Sequence, residues 1–201
     1  YNYFKEDVRL VSLFNNNFID KVMKRLIDDD YVLTSTAARN KIKVKLNLKK
    51  SKKPTDSGNK WHVDNRHLRG KALKPSLSYF AVITLDEFNN NNGSTQFIEN
   101  SHKFKKKIDS HKNFKFKHFS AKKGSIIFID SNLVHRAGIS GDKSRWSIFN
   151  LYSPWFVKPY YQFDKIINKK KISLRTRKLL HFNSVPPTSQ NIRISTLVKK
   201  I

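Results

Sequence analysis

Two histidines, an aspartate, an arginine and a serine carry the chemistry this sequence offers, and their spacing decides what that chemistry would be. His62 and Asp64 stand in the stretch Trp61-His62-Val63-Asp64. In an extended segment residues two apart leave the chain on one face, so this imidazole and this carboxylate project together. His135 follows roughly seventy residues later, and beyond it come Arg145 and Ser147, again two apart. Two neutral imidazoles and one carboxylate make a donor set for a first-row divalent metal that leaves further coordination positions open. A guanidinium forks two hydrogen bonds onto a carboxylate, so Arg145 is suited to hold an acid. A His-x-Asp alone is a weak signal in a chain with seven histidines and fifteen acidic residues, where it is equally an ordinary hydrogen-bonded pair at a strand edge. The combination carries more weight than any of its parts.

The elements that must position these groups centre on 124–154. Ile126 to Ile129 reads as a buried strand, and Arg145 to Tyr152, rich in Trp, Ile, Phe and Tyr, as a second. Gly138, Ser140, Gly141 and Asp142 between them are turn residues. This pattern predicts a hairpin centred near Ser140, with His135 and Arg145 opposite one another across the ladder and Ser147 on the face of Arg145.

The run from about Trp61 to Pro159 resembles the phytanoyl-CoA dioxygenase family of iron(II)- and 2-oxoglutarate-dependent oxygenases. The matching pieces are WHVD, then TLDEFNNNNGSTQFIENSHK, similar to the family's acidic turn and its Asn-Gly and Gly-Ser-His signature, then GSIIFIDSNLVHRAG and the SRWSIFNLYSPW strand. The resemblance implies His62, Asp64 and His135 as iron ligands, with Arg145 as partner of the distal carboxylate of 2-oxoglutarate. Ser147 matches the Arg-x-Ser form of some relatives. The implied cofactors are iron(II), 2-oxoglutarate as cosubstrate and O2. The implied reaction hydroxylates a small molecule while 2-oxoglutarate is decarboxylated to succinate and CO2. Retention of a carboxylate at Asp64 fits hydroxylation, because halogenating relatives lack it. Asn100 stands where the family usually has Gly before Ser-His, a departure at a turn and away from the metal ligands. His67 and His102 match no ligand position.

Length and composition bound the rest. The 201 residues suit a single oxygenase domain, and the start at Tyr1 instead of Met leaves room for N-terminal elements outside it. Residues 160–201 read as a basic C-terminal extension packed on the barrel. Without cysteine there is no disulfide framework, thiolate metal site or catalytic thiol, and with no apolar run near ~20 residues the expectation is a cytoplasmic protein without a membrane span. The formal net charge of +26 favours anionic partners. Lysine outweighs arginine, however, and its clusters at 49–53, 103–107 and 169–171 are dispersed, as on a solvated surface. The reading from another class is a basic, polyanion-binding or nucleic-acid-binding module on a catalytically inactive barrel. A third is a cupin-like metalloenzyme that does not use 2-oxoglutarate.

Phe14, Phe18, Val22 and Leu26, with Ile19, Met23 and Ile27 beside them, predict a helix over 10–29 capped by Asn15 or Asn16 and laid on a sheet. Tyr31 to Ser35, Ile42 to Leu48 and Leu77 to Leu85 read as strands, and the resemblance implies Asn47 and Tyr79 or Phe80 as residues near the cosubstrate pocket. Lys49 to Lys60 reads as a loop, Thr95 to Glu99 as a strand after the Asn92-Gly93 turn, and Phe114 to Phe119 as a half-buried strand. Alternating aromatics and lysines in that last segment would also suit single-stranded nucleic acid. Trp155 to Phe163 is expected to pack across one end of the barrel, and Ser173 to start a short helix. About eight short strands with flanking helices give a mainly β protein, a double-stranded β-helix of the jelly-roll, cupin-like type.

Overall fold

Alternation along the strands builds two layers around one sheet. The computed structural model describes residues 2–42, 60–64, 76–104, 113–138 and 143–182. β1 (Tyr31–Lys41), β2 (Tyr79–Thr84), β5 (Ile126–Asp130) and β7 (Arg145–Pro154) form an antiparallel sheet in the order β1-β7-β2-β5. β2 is apolar on both faces, as expected of a strand covered on both sides. Ala81 and Ile83 turn outward with Ile148 and Tyr152 of β7, whereas Phe80 and Val82 turn inward with Ile127, Ile129 and Phe149.

Helices cover the outer face. A 3-10 helix (Val8–Leu13) leads into α1 (Asn17–Leu26), which starts where the Asn16 side chain accepts the Ile19 amide at 3.0 Å. Phe14, Ile19 and Met23 are fully buried against the sheet, each burial favourable by ~2 kcal/mol. Phe18 is 59% exposed and Leu26 is exposed as well. The apolar stripe therefore runs along Ile19 and Met23, one position round from Phe18 and Leu26. The buried Tyr152 hydroxyl donates to the Phe14 carbonyl at 2.7 Å, and Asn150 Nδ2 to that of Leu13 at 2.9 Å, which pins this leader to the central strand. α2 (Phe163–Ile166) and α3 (Leu174–Leu179) close the same layer, with Phe163, Ile167, Ile172, Leu179 and Leu180 in its core. Ser173 caps α3, as the sequence predicts.

The inner face looks toward a smaller sheet, β4 (Lys117–His118), β3 (Gln96–Phe97) and β6 (His135–Arg136), in the order β4-β3-β6. Phe88, Phe119, Leu133 and Ala121 fill the space between the sheets with Val82 and Ile129. The two antiparallel sheets and few helices are those of a mainly β, jelly-roll type fold, without a closed hydrogen-bonded barrel among the described residues. Among those residues no helix is long and apolar enough to cross a membrane.

Several expectations need correction. β6 pairs with β3 and β7 pairs with β1 and β2, so no β6-β7 hairpin forms: the chain leaves one sheet and enters the other. β1 runs on to Lys41, past the predicted end at Ser35, because β7 pairs with it along its length, with one shift of register between Leu33 and Ser35. The predicted strand over 42–48 lies, apart from Ile42, outside the described residues, as do Asn47 and His67. Phe114 to Phe119 yields a two-residue strand, since Phe114 and Phe116 instead pack on Trp61. Trp155, Phe156 and Tyr160 are exposed, and of the aromatic segment Phe163 is the member that is fully buried.

Candidate metal centre

His62 and His135 meet through the backbone before their side chains meet. The His62 amide donates to the His135 carbonyl at 3.0 Å and the His135 amide to that of His62 at 2.9 Å, an isolated antiparallel bridge at the edge of the smaller sheet. Their chain neighbours Trp61 and Val134 are buried together with Ile98 behind the sheet, which turns both imidazoles to the opposite side. The Asp64 amide donates to the Ser131 carbonyl at 3.0 Å, bringing its carboxylate alongside. His135 Nε2 lies 3.3 Å from Asp64 Oδ2, and His62 Nε2 lies 4.0 Å from Oδ1. One donor atom from each of the three residues fits within a mutual distance of 4.8 Å. Neighbouring ligands on an octahedral ion with ~2.1 Å bonds are about 3 Å apart, so modest closure around a cation completes the set.

The hydrogen bonds behind the rings say which atoms face the centre. His62 Nδ1 is 2.7 Å from the Lys60 carbonyl, and His135 Nδ1 is 2.9 Å from the Leu133 carbonyl. A carbonyl only accepts, so in each ring Nδ1 carries the proton and Nε2 is the acceptor. Two acceptor nitrogens are thus turned toward a carboxylate that also accepts, an arrangement that is repulsive unless a cation or added protons come between. Backbone carbonyls fixing the tautomer in this way are the usual support of metal-bound histidine.

A second group of candidate residues lies on the larger sheet. Arg145, Ser147 and Phe149 share the inner face of β7, and Arg145 is 4% exposed. Its Nη2 donates to the Gly93 carbonyl at 2.8 Å, its Nη1 approaches Ser147 Oγ at 3.3 Å, and its guanidinium lies 3.9 Å over the Phe88 ring. Nε is buried without a partner, and Arg145 makes no ion pair among the described residues. Burial pushes this guanidinium down to about 10, well below the ordinary arginine value, which still leaves it charged near neutral pH. A buried cation with an unpartnered donor and no acid beside it is a site for an anion.

Local structure around Arg145 is tightly specified. Asp86 Oδ2 accepts the Trp146 amide at 2.7 Å, and the Leu85 and Asp86 amides return to the Trp146 carbonyl, fixing the entry to β7. Gly93 has a left-handed φ of 70° and presents its carbonyl to Arg145. Gly138 passes so close that a Cβ there would sit 2.1 Å from the Ser94 carbonyl oxygen.

The structure brings His62, Asp64 and His135, the set the resemblance implies, into one cluster, and places Arg145 beside Ser147 as their two-residue spacing suggests. His135 does not oppose Arg145 across a ladder: its partner is Phe97, and that of Arg145 is Lys41. His102 lies in a short 3-10 helix outside the cluster, and Asn100 takes the left-handed φ of 58° that a glycine would otherwise supply. Asp86, Phe88 and Gly138 were missed as supports. The Asn92-Gly93 turn signal marks one of their neighbours, but no local signal marks contacts made across the fold.

The family model described as phytanoyl-CoA dioxygenase (PhyH) matches residues 4–146. Among solved structures the chain is similar to EvdMO1, at 20% identity and a TM-score of 0.53, covering 70% of this chain and 31% of that one. It is similar to AviO1 from Streptomyces viridochromogenes Tue57, at 17% identity and a TM-score of 0.51, covering 73% and 62%. A third is the nickel complex of the non-heme monooxygenase ThoJ, at 16% identity and a TM-score of 0.50, covering 73% and 54%. At such identities the likeness is one of fold, and the chain spans 31% to 62% of the length of these three proteins. No curated protein matches the sequence.

Proposed function

Because the chain belongs to the phytanoyl-CoA dioxygenase family, we propose that it is an iron(II)- and 2-oxoglutarate-dependent dioxygenase that hydroxylates a small-molecule substrate. The observation that carries this reading is the pair of Nε2 acceptors facing the Asp64 carboxylate, which calls for a cation at their centre. Two imidazoles and a carboxylate on one side suit iron(II), leaving positions for other ligands. Bound iron would supply O2 activation coupled to decarboxylation of 2-oxoglutarate to succinate and CO2 and to hydroxylation of substrate.

The chain's own residues do the positioning. His62, Asp64 and His135 hold the ion, and Asp64 brings a negative charge that two neutral imidazoles lack. Arg145 pairs with the far carboxylate of 2-oxoglutarate, Ser147 adds a hydroxyl, and the phenyl ring of Phe88 keeps water from that ion pair. Phe80 and Phe149 line the inner face beyond them. Arg39, directly across the ladder from Ser147, is exposed, lies 5.0 Å over the Phe149 ring and makes no ion pair among the described residues. Its charge on the inner face supports an anionic substrate. We read residues 1–201 as one oxygenase domain, because β7 continues past the family match and the segment through α3 shares a core with Phe4 and Phe14.

Anaerobic addition of iron(II) and 2-oxoglutarate tests the assignment. The expected result is a visible charge-transfer band that is absent in His135→Ala. A protein that stays colourless with both additions overturns it.

A further inference from the structure

We propose that Arg136 is a positioning residue for the metal centre, holding Trp61 on the back of the smaller sheet and so fixing the register that sets His62 opposite His135 on the front. The proposal rests on the iron-centre reading above and concerns residues that would not touch the ion. The bridge between His62 and His135 is a single residue pair with two backbone hydrogen bonds. Beyond the bridge, register rests on the Asp64 amide bond to the Ser131 carbonyl and on the packing of Trp61, and a slip of one residue would turn the His62 side chain to the wrong face.

The pairs on either face share one geometry. In an antiparallel bridge the residue before His62 lies across from the residue after His135, so Trp61 and Arg136 are the neighbouring cross-strand pair, pointing to the back while the histidines point to the front. The Arg136 guanidinium lies 4.2 Å over the Trp61 ring and 5.3 Å from the Phe116 ring. Its Nε donates to Gln96 Oε1 at 2.7 Å, which ties the pair to β3. Trp61 is 4% exposed and offers the cation a buried ring, while Arg136 is half-buried and Phe116 is 39% exposed. A slip of the Trp61 segment by one residue would lose the stack, while the Gln96 bond holds Arg136 in place on the smaller sheet. Residues that orient ligands without touching the metal commonly change its affinity by ~10- to 100-fold.

Arg136→Met, which keeps length but removes charge and fork, and Arg136→Lys test the proposal in the full chain. Measured quantities are the anaerobic iron(II) dissociation constant, the visible spectrum of the cobalt(II)-loaded protein and the thermal midpoint of the metal-free protein. The expected result is an iron(II) affinity ~10- to 100-fold weaker and an altered cobalt spectrum in Arg136→Met, with partial recovery in Arg136→Lys. Wild-type affinity and spectrum in Arg136→Met overturn the proposal. If that variant does not fold, Trp61→Phe, which retains a ring for Arg136, is compared with Trp61→Leu. Loss of affinity in the leucine variant alone supports the proposal, and equal affinities overturn it. A wild-type protein that takes up neither metal overturns the iron-centre reading itself, a different failure from a metal-binding protein indifferent to Arg136.

Discussion

Replacing Arg145 with methionine should separate two properties that usually fall together, stability and ligand binding. Burial pushes the guanidinium down to about 10, and at about 1.4 kcal/mol for each tenfold in proton affinity the drop from the ordinary arginine value is on the order of 3 kcal/mol against the charged form. Methionine removes that penalty while filling much of the same space over Phe88. It also removes the bonds to the Gly93 carbonyl and Ser147, each favourable by ~1 kcal/mol. The balance is a ligand-free variant as stable as wild type or more so by ~1 to 2 kcal/mol, a rise of up to about 6 °C in melting temperature for a chain of this size. Binding moves the other way. Loss of a buried charge partner costs about 2 to 5 kcal/mol, so 2-oxoglutarate should bind about thirtyfold more weakly or worse. Thermal melts with and without 2-oxoglutarate, together with anaerobic titration of the iron(II) protein, measure both. A variant clearly less stable than wild type without ligand would refute the buried-charge reasoning. One that keeps wild-type affinity for 2-oxoglutarate would refute the role given to Arg145.

Arg39→Glu should leave 2-oxoglutarate affinity within about threefold and lower kcat/KM more than tenfold for an anionic substrate, as read by succinate release across a metabolite panel. Gly138→Ala should destabilise by ~1 to 3 kcal/mol in urea unfolding, because the new methyl would overlap the Ser94 carbonyl. Met23→Ala should cost ~2 to 5 kcal/mol and Phe18→Ser far less, since the first is fully buried and the second 59% exposed. Equal losses in the two would mean that α1 lies on the sheet by its other stripe.

How legible each element was depended on how local its cause is. α1, β2 and the helix begun at Ser173 could be read because periodicity and caps are written within a dozen residues. His62 and Asp64 could be paired because a strand repeats every second residue. Pairing between strands is a non-local choice, and there the reading failed: turn residues between His135 and Arg145 look the same whether the chain folds back as a hairpin or crosses between sheets. The exact face of α1 was also ambiguous, because Phe18 and Leu26 are as apolar as Ile19 and Met23 and only the sheet chooses between them. Contacts such as Phe88 beneath Arg145 and Trp61 beneath Arg136 join distant segments and have no local signature.

The crossing from β6 to β7 has one more consequence. It mounts His135 on one sheet and Arg145 on the other, so under the proposed reading the spacing of the two sheets sets the length of diacid that reaches from the ion to the guanidinium. On that reading oxaloacetate, one carbon shorter than 2-oxoglutarate, and 2-oxoadipate, one carbon longer, should each bind more weakly than 2-oxoglutarate in the anaerobic titration.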